Sequence, residues 1–174
     1  KELLGGNQTY SMQIDQQGNV WVSRSGWINK IETVTGIIYN RSNNPTHHPI
    51  FEQSFLMIAF EPTGAYWAVT TDFRLCHFSV NGNLLDKISM DHGLIFWSAD
   101  IDTHGNVWIG TLGQGLWKYD ATKKQLLHYA HDAAHSTSLI CDEVIGVRED
   151  KLGNFWIFTN EGLDLLAHQR LALN

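Results

Sequence analysis

The stretch Asp102-Thr-His-Gly105-Asn-Val-Trp108-Ile-Gly-Thr111 carries a pattern that recurs along the chain: an acid, two residues, a glycine, two residues and a tryptophan. Three further copies share this spacing, and they are Asp15, Gly18 and Trp21; Glu61, Gly64 and Trp67; and Asp150, Gly153 and Trp156. Successive tryptophans are 46, 41 and 48 residues apart. A period of this length is typical of a propeller blade and too long for most helical-pair repeats. The repeat therefore decides the fold class.

Each period also holds short segments with the alternation of a β-strand. In the first repeat, Tyr10, Met12 and Ile14 alternate with polar residues, and residues 15–19 have the composition of a hairpin turn. Residues 20–22, 27–31 and 37–39 supply three more strands. Four short antiparallel strands in each period are typical of a propeller blade.

The sequence thus predicts an all-β fold, a single β-propeller segment over residues 1–174 with four recognisable four-stranded blades. The approximate blades are 9–50, 51–91, 92–135 and 136–174. Residues 121–134 have helix propensity, but they occupy the place of an outer strand, and we predict a strand there. Blade four lacks an outer strand. Either Glu2-Leu3-Leu4 completes it in a closed four-bladed ring, or the chain is an arc of a larger ring.

Structural roles account for most of the repeated residues. The four tryptophans are expected to fill the wedge between neighbouring blades. Thr70, Thr111 and Thr159 each follow a repeat tryptophan by three residues, and their hydroxyls are expected to cap the next turn. Arg24 stands at this position in blade one.

Composition excludes several classes of protein. Hydrophobic residues make up 43% of the chain, which is typical of a globular protein. A net charge of −6 argues against nucleic acid as a partner, because phosphates are bound mainly by Lys and Arg. Residues 55–60 form the longest apolar run, too short to span a bilayer, so we expect no membrane contact by this segment. Cys76 and Cys141 lie at different points of the repeat and are expected to be buried small hydrophobes.

The segment from Ser138 to Leu163, with Asp150, Gly153 and Trp156, resembles the two-component regulator propeller repeat, as does the segment from Asp102 to Asp120. The resemblance is weaker in repeat two, where Glu61 and Ala65 replace the usual Asp and Asn. It implies the periplasmic sensor region of a membrane-anchored bacterial signalling protein, such as a hybrid histidine kinase or a diguanylate cyclase. Rings in that family usually have more than four blades. The resemblance implies no catalytic residue.

The predicted ligand site lies where blade-joining loops meet the starts of the inner strands. Its residues are His92, Phe96 and Trp97 of blade three and Asp142 and Glu143 of blade four, with Phe55 of blade two on the same face. Aromatic rings there could stack on a sugar while carboxylates accept hydroxyl hydrogen bonds. The alternative for the three aromatic residues is a place in the core.

No catalytic residue, metal site or cofactor is predicted. His128, His131 and His135 with Asp132 contain enough ligands for zinc, but the run crosses from a strand into a loop, and we expect a solvated loop.

The sequence therefore favours a non-enzymatic sensor segment that binds a small molecule, with a carbohydrate as one ligand class. One alternative is a propeller lyase or hydrolase with its site over the central channel. Another is a scaffold that recruits proteins through exposed blade edges, and two four-bladed arcs could complete one ring as a homodimer.

Overall fold

The structure is a computed structural model that describes residues 11–24, 27–90 and 93–167. The chain divides into two compact units, Lys1–His92 and Gly93–Asn174. Each unit contains two antiparallel sheets, in which every strand pairs with the strand next to it in sequence.

The first unit holds blades one and two. Blade one consists of β1 (Ser11–Ile14), β2 (Val20–Arg24), β3 (Trp27–Ile31) and β4 (Ile38–Tyr39). Blade two consists of β5 (Phe55–Phe60), β6 (Tyr66–Thr70), β7 (Arg74–Phe78) and β8 (Leu84–Ser89). The segment between the blades contains one turn of 3₁₀ helix, Pro49–Phe51, which the side chain of His48 caps by accepting the N–H of Ile50. A proline at the start of the turn suits a position that donates no backbone hydrogen bond.

The second unit holds blades three and four. Blade three consists of β9 (Phe96–Ile101), β10 (Val107–Thr111), β11 (Leu116–Asp120) and β12 (Gln125–Tyr129). Blade four consists of β13 (Val144–Glu149), β14 (Phe155–Thr159) and β15 (Leu163–Leu166). Within the described part of the chain, blade four therefore has three strands, as predicted. The segment Glu2-Leu3-Leu4, expected to complete this blade in one alternative, lies outside the described residues.

The predicted propeller fold is confirmed: four meandering antiparallel sheets follow one another at the period of the repeat. Residues 125–129 form β12, so the strand predicted within residues 121–134 is confirmed and helix propensity there is overridden. The assignment of the whole chain to one domain with the stated blade boundaries stays a prediction.

The repeat tryptophans connect neighbouring blades within each unit. In the first unit, the Trp21 ring lies 5.8 Å from Phe51 and 4.8 Å from Phe60, measured between centroids. In the second, the Trp108 ring lies 4.5 Å from Phe155 of the next blade. Trp21, Trp67 and Trp108 are buried, and Trp156 is half-buried. The wedge-filling role therefore holds for the blade contacts that the structure describes.

The third strand of a blade also contributes to each tryptophan's surroundings. Lys30 and Lys118 are the cross-strand partners of Trp21 and Trp108, and their ammonium nitrogens lie 5.4 and 5.0 Å from the ring centroids. In blade two the partner of Trp67 is His77, whose ring is stacked on the indole at 4.4 Å. A cation or a flat ring on the indole face adds an attraction beyond the area that it buries.

The threonines that follow the tryptophans act as predicted. The hydroxyl of Thr111 donates to the carbonyl of Gly115 at 2.7 Å, and that of Thr159 donates to the carbonyl of Gly162 at 3.0 Å. The Thr70 hydroxyl accepts the N–H of Arg74 at 3.2 Å. The side chain of Arg24, at the same position in blade one, lies outside what the structure describes.

Cys76 and Cys141 are buried free thiols, as expected. No helix among the described residues has the length and apolar character needed to cross a bilayer.

Candidate functional site at the strand starts of the second unit

The repeated acids are bonded to the repeated tryptophans. In every blade the indole N–H donates to the carboxylate six residues earlier, over 2.8 Å for Asp15, 3.1 Å for Glu61, 2.9 Å for Asp102 and 3.1 Å for Asp150. The same carboxylates accept backbone N–H groups of their own turns in blades one, three and four. The acid therefore fixes both the turn and the tryptophan, which is a structural role.

Blade two departs from this pattern in a way that the structure explains. In the other blades an asparagine four residues after the acid also donates its side-chain N–H to the carboxylate. Blade two has Ala65 at this position, and His77 Nε2 instead lies 2.9 Å from Glu61 Oε1. The two atoms are in polar contact, but their geometry is not that of a hydrogen bond. The weaker repeat thus retains a nitrogen partner for its acid.

The residues predicted to bind ligand are found at the starts of inner strands. Phe96 begins β9 and is buried, with 5% of its surface exposed, and Trp97 follows it half-buried. Asp142 and Glu143 form the approach to β13 and are also half-buried. His92 lies outside the described residues. Phe55 is fully buried in the core of the first unit, which agrees with the core alternative for that ring.

One turn brings the two strand starts of the second unit together. Between β10 and β11, the N–H of Leu112 donates to the carbonyl of Ile95, immediately before β9, at 2.8 Å. The N–H groups of Gly113 and Gly115 both donate to the carbonyl of Asp142, at 3.1 and 2.8 Å. The turn thereby ties the start of blade three to the approach to blade four. Gly115 also passes so close to the Tyr129 carbonyl that a Cβ atom would lie 2.2 Å from that oxygen.

The carboxylates of Asp142 and Glu143 are only partly used by hydrogen bonds among the described residues. Oδ1 of Asp142 accepts the N–H of His131 at 2.6 Å, and Oε2 of Glu143 accepts the side-chain N–H of Asn160. Among the described residues, these bonds leave Oδ2 of Asp142 and Oε1 of Glu143 able to accept further hydrogen bonds. A polar ligand with hydroxyl groups could use both oxygens.

The histidine run begins in β12 with His128 and continues into the loop that follows this strand. His128 Nε2 lies 2.9 Å from the carbonyl of Gln114, His131 Nδ1 lies 2.6 Å from that of Leu139, and His135 Nδ1 lies 2.6 Å from Asp132 Oδ2. The three imidazoles therefore have separate partners. Within the described ranges, no group of three or more His, Cys, Asp or Glu side chains is placed to hold a metal ion.

The electrostatics of this region include an ion pair between blades, formed by a half-buried aspartate and an exposed arginine. Asp100 on β9 is bonded to Arg148 on β13. Burial raises the pKa of the Asp100 carboxyl above its usual value, and the Arg148 guanidinium opposes this effect without overcoming it. The pair joins the inner strands of blades three and four.

A pocket of about 470 Å³ lies beside the loop that follows β12, and it was not predicted from the sequence. Its apolar walls include Leu116, Tyr129 and Leu166, and Ser138 and Asp164 supply polar groups. Asp164 also accepts the N–H of Ile140 at 3.0 Å and so fixes the end of the loop against β15. In the sequence, the polar run Ser136-Thr-Ser138 is a feature that could have indicated this pocket. Its place beside strands of blades three and four follows only from the tertiary structure.

Comparison with known proteins gives structural neighbours only. No family model matches the sequence, and no curated protein matches it. Two structures of the extracellular domain of one B. thetaiotaomicron protein, described as a one component system in one and a hybrid two component system in the other, align with a TM-score of 0.68 and 20% identity. Each alignment covers 93% of this chain and 22% of the neighbour's chain.

Two further neighbours share the fold. The extracellular domain of a second B. thetaiotaomicron protein, described as a hybrid two component system, has a TM-score of 0.60 and 20% identity, with 96% of this chain and 21% of that one covered. A catalytically inactive H270A variant of virginiamycin B lyase from Staphylococcus aureus, with quinupristin, has a TM-score of 0.60 and 13% identity, with 96% and 58% covered. The chain thus spans about a fifth of the length of its extracellular-domain neighbours. At these identities the comparisons establish the propeller fold.

Proposed function

We propose that this chain is a non-enzymatic, ligand-binding segment of an extracytoplasmic bacterial sensor of the two-component type. The observation that carries the proposal is the structural match of more than nine-tenths of the chain to extracellular domains of proteins described as hybrid two component systems. The repeat resemblance in blades three and four supports the same class of protein. A location outside the cytoplasm, in the periplasm of a bacterium with two membranes, is part of this proposal.

The strand starts of the second unit are the proposed ligand contacts. Trp97 offers a half-buried aromatic face, and Asp142 and Glu143 retain carboxylate oxygens that can accept hydroxyl hydrogen bonds. This combination suits a carbohydrate, whose ring faces stack on aromatic side chains. Signalling would follow if the ligand binds one arrangement of the parent protein better than another.

Thermal unfolding in the presence of a glycan library tests the proposal. A ligand that binds only the folded chain raises the unfolding temperature, with a free-energy gain of about 2.7 kcal/mol at a hundredfold excess over Kd. We expect Glu143→Gln and Trp97→Ala to abolish the shift, and Glu161→Gln, an exposed acid of the same unit, to retain it. A shift that all three variants retain would place the ligand elsewhere.

The structural neighbour that is a lyase supplies a second candidate function. Incubation of the chain with quinupristin, followed by liquid chromatography coupled to mass spectrometry, tests this alternative directly. We expect unchanged substrate, and a new chromatographic peak that forms only with the chain would establish the enzyme in place of the sensor.

A further inference from the structure

A pocket of about 460 Å³ lies between the two blades of the first unit. In the second unit the corresponding turn is bonded to the next blade, because the N–H and the hydroxyl of Thr103 donate to the Glu149 carboxylate at 2.6 and 2.8 Å. The equivalent positions in the first unit are Gln16 and Phe60, and the phenyl ring of Phe60 cannot accept such hydrogen bonds. Both residues line the pocket instead.

Aromatic rings form much of the pocket wall. Trp21 is stacked on Phe51 with an interplanar angle of 8°, and Phe60 packs against Trp21 from the next blade. Tyr39 and Tyr66 complete the aromatic set. Rings from both blades and from the connecting segment thus surround one space, and such boxes attract organic cations through the negative faces of the rings.

The charged groups of the pocket favour the same class of ligand. Asp15, Glu32 and Glu61 line it, with Lys30 as the ammonium group among its lining residues. His48 also lines the pocket, but both of its ring nitrogens are bonded within the chain, since Nδ1 accepts the N–H of Ile50 and Nε2 lies 2.8 Å from the carbonyl of Val80. Carboxylates therefore outnumber cations around an aromatic surface.

The chain's own lysine already uses this chemistry. Lys30 Nζ lies 5.4 Å from the centroid of Trp21 and 3.9 Å from Asp15 Oδ2, so one ammonium group is held by a ring and a carboxylate together. Glu32 is the acid with the most capacity left, since its carboxylate accepts only the hydroxyl of Thr35 among the described residues.

We propose that this inter-blade pocket binds an organic ammonium ion with a compact apolar body. The body lies against Trp21 and Phe60, and the ammonium group is held by Glu32. The inference goes beyond the proposed sensor function, because the pocket lies in the first unit and binding is measured on this chain directly.

A matched pair of probes tests the proposal. Phenethylammonium and 2-phenylethanol have the same body, but only the first carries a charge. We expect phenethylammonium to shift the indole N–H resonance of Trp21 in a ¹H–¹⁵N spectrum, and the alcohol to bind about tenfold more weakly. Equal affinity for the two probes, or a preference for glucose over phenethylammonium, would overturn the proposal without bearing on the strand-start site.

Two variants locate the binding energy. Glu32→Gln should weaken phenethylammonium about fivefold to tenfold, whereas Glu161→Gln, outside the pocket, should leave its affinity unchanged. Unchanged affinity in Glu32→Gln would show that this carboxylate does not hold the ammonium group and would overturn the assignment.

Discussion

At the level of single residues, the recurring feature of this fold is the hydrogen bond from the repeated tryptophan to the repeated acid. The sequence predicts that the acid of residues 15–19 belongs to a hairpin turn and that the tryptophans fill the wedge between blades, but it does not predict the hydrogen bond between acid and tryptophan. That bond depends on how the turn directs two side chains six residues apart, which residue spacing does not reveal. Its environment also varies, because Asp102 and Trp108 are 5% and 1% exposed, whereas Asp150 and Trp156 are half-buried.

Replacement of Trp108 by phenylalanine tests the worth of this bond. The change removes the indole N–H and leaves the buried Asp102 carboxylate short of a donor, which should cost about 1–3 kcal/mol beyond the loss of ring size. Trp117→Phe in the same blade is the matched control, since Trp117 Nε1 has no hydrogen-bond partner among the described residues. Urea unfolding measures both. Equal losses of unfolding free energy would mean that the Trp108 hydrogen bond contributes nothing.

At the level of secondary-structure elements, the strands and turns show which parts of the fold can be predicted from sequence patterns. The strands predicted at residues 20–22, 27–31 and 37–39 of blade one correspond to β2, β3 and β4, because turn residues separate these apolar segments. The 3₁₀ turn before β5 was not predicted, since it depends on packing. The candidate site was predicted only in part. Asp142 and Glu143 were placed by the repeat, but the turn that ties them to β9 and the two pockets arise from contacts between strands distant in sequence.

Gly110 lies where strands of the second unit pack closely, and its replacement tests how tightly these strands are packed. A Cβ atom there would lie 2.5 Å from both Ser98 Oγ and the Val144 carbonyl, and backbone cannot move aside easily. Gly110→Ala should therefore destabilise the protein by about 1–3 kcal/mol. Gly146→Ala is the control, because its Cβ would meet only Phe158, at an ordinary 3.7 Å. A Gly110→Ala variant as stable as Gly146→Ala would indicate that these strands can separate without cost.

Over the whole molecule, acidic turns in both units tie stability to pH. Asp15 and Asp150 illustrate the shared mechanism. Burial tends to raise the pKa of Asp15, but hydrogen bonds from Trp21 and Asn19 outweigh it, and the net pKa is lowered. Hydrogen bonds from Asn154, Trp156 and Leu152 lower the pKa of Asp150 to about 2. The carboxylate is therefore the form that the folded chain binds best.

The sign of the pH dependence follows from these lowered values. An aspartate with a pKa of about 3.9 in the unfolded chain takes up a proton there first, so the stabilisation is present above about pH 4 and is lost as the pH falls towards about 2. Asp100, whose pKa burial raises, contributes in the opposite direction, but among the described residues the aspartates with lowered pKa values are more numerous.

Comparison of the protein with its Asn154→Ala variant isolates one of these acids. The variant removes the hydrogen bond that contributes most to the lowered pKa of Asp150, so its urea midpoint should lie below that of the parent at neutral pH. Because protonated Asp150 gains less from the Asn154 side chain, the difference should shrink between about pH 4 and pH 2. A difference that stays constant over this range would show that Asn154 stabilises the turn through packing, independently of the charge on Asp150.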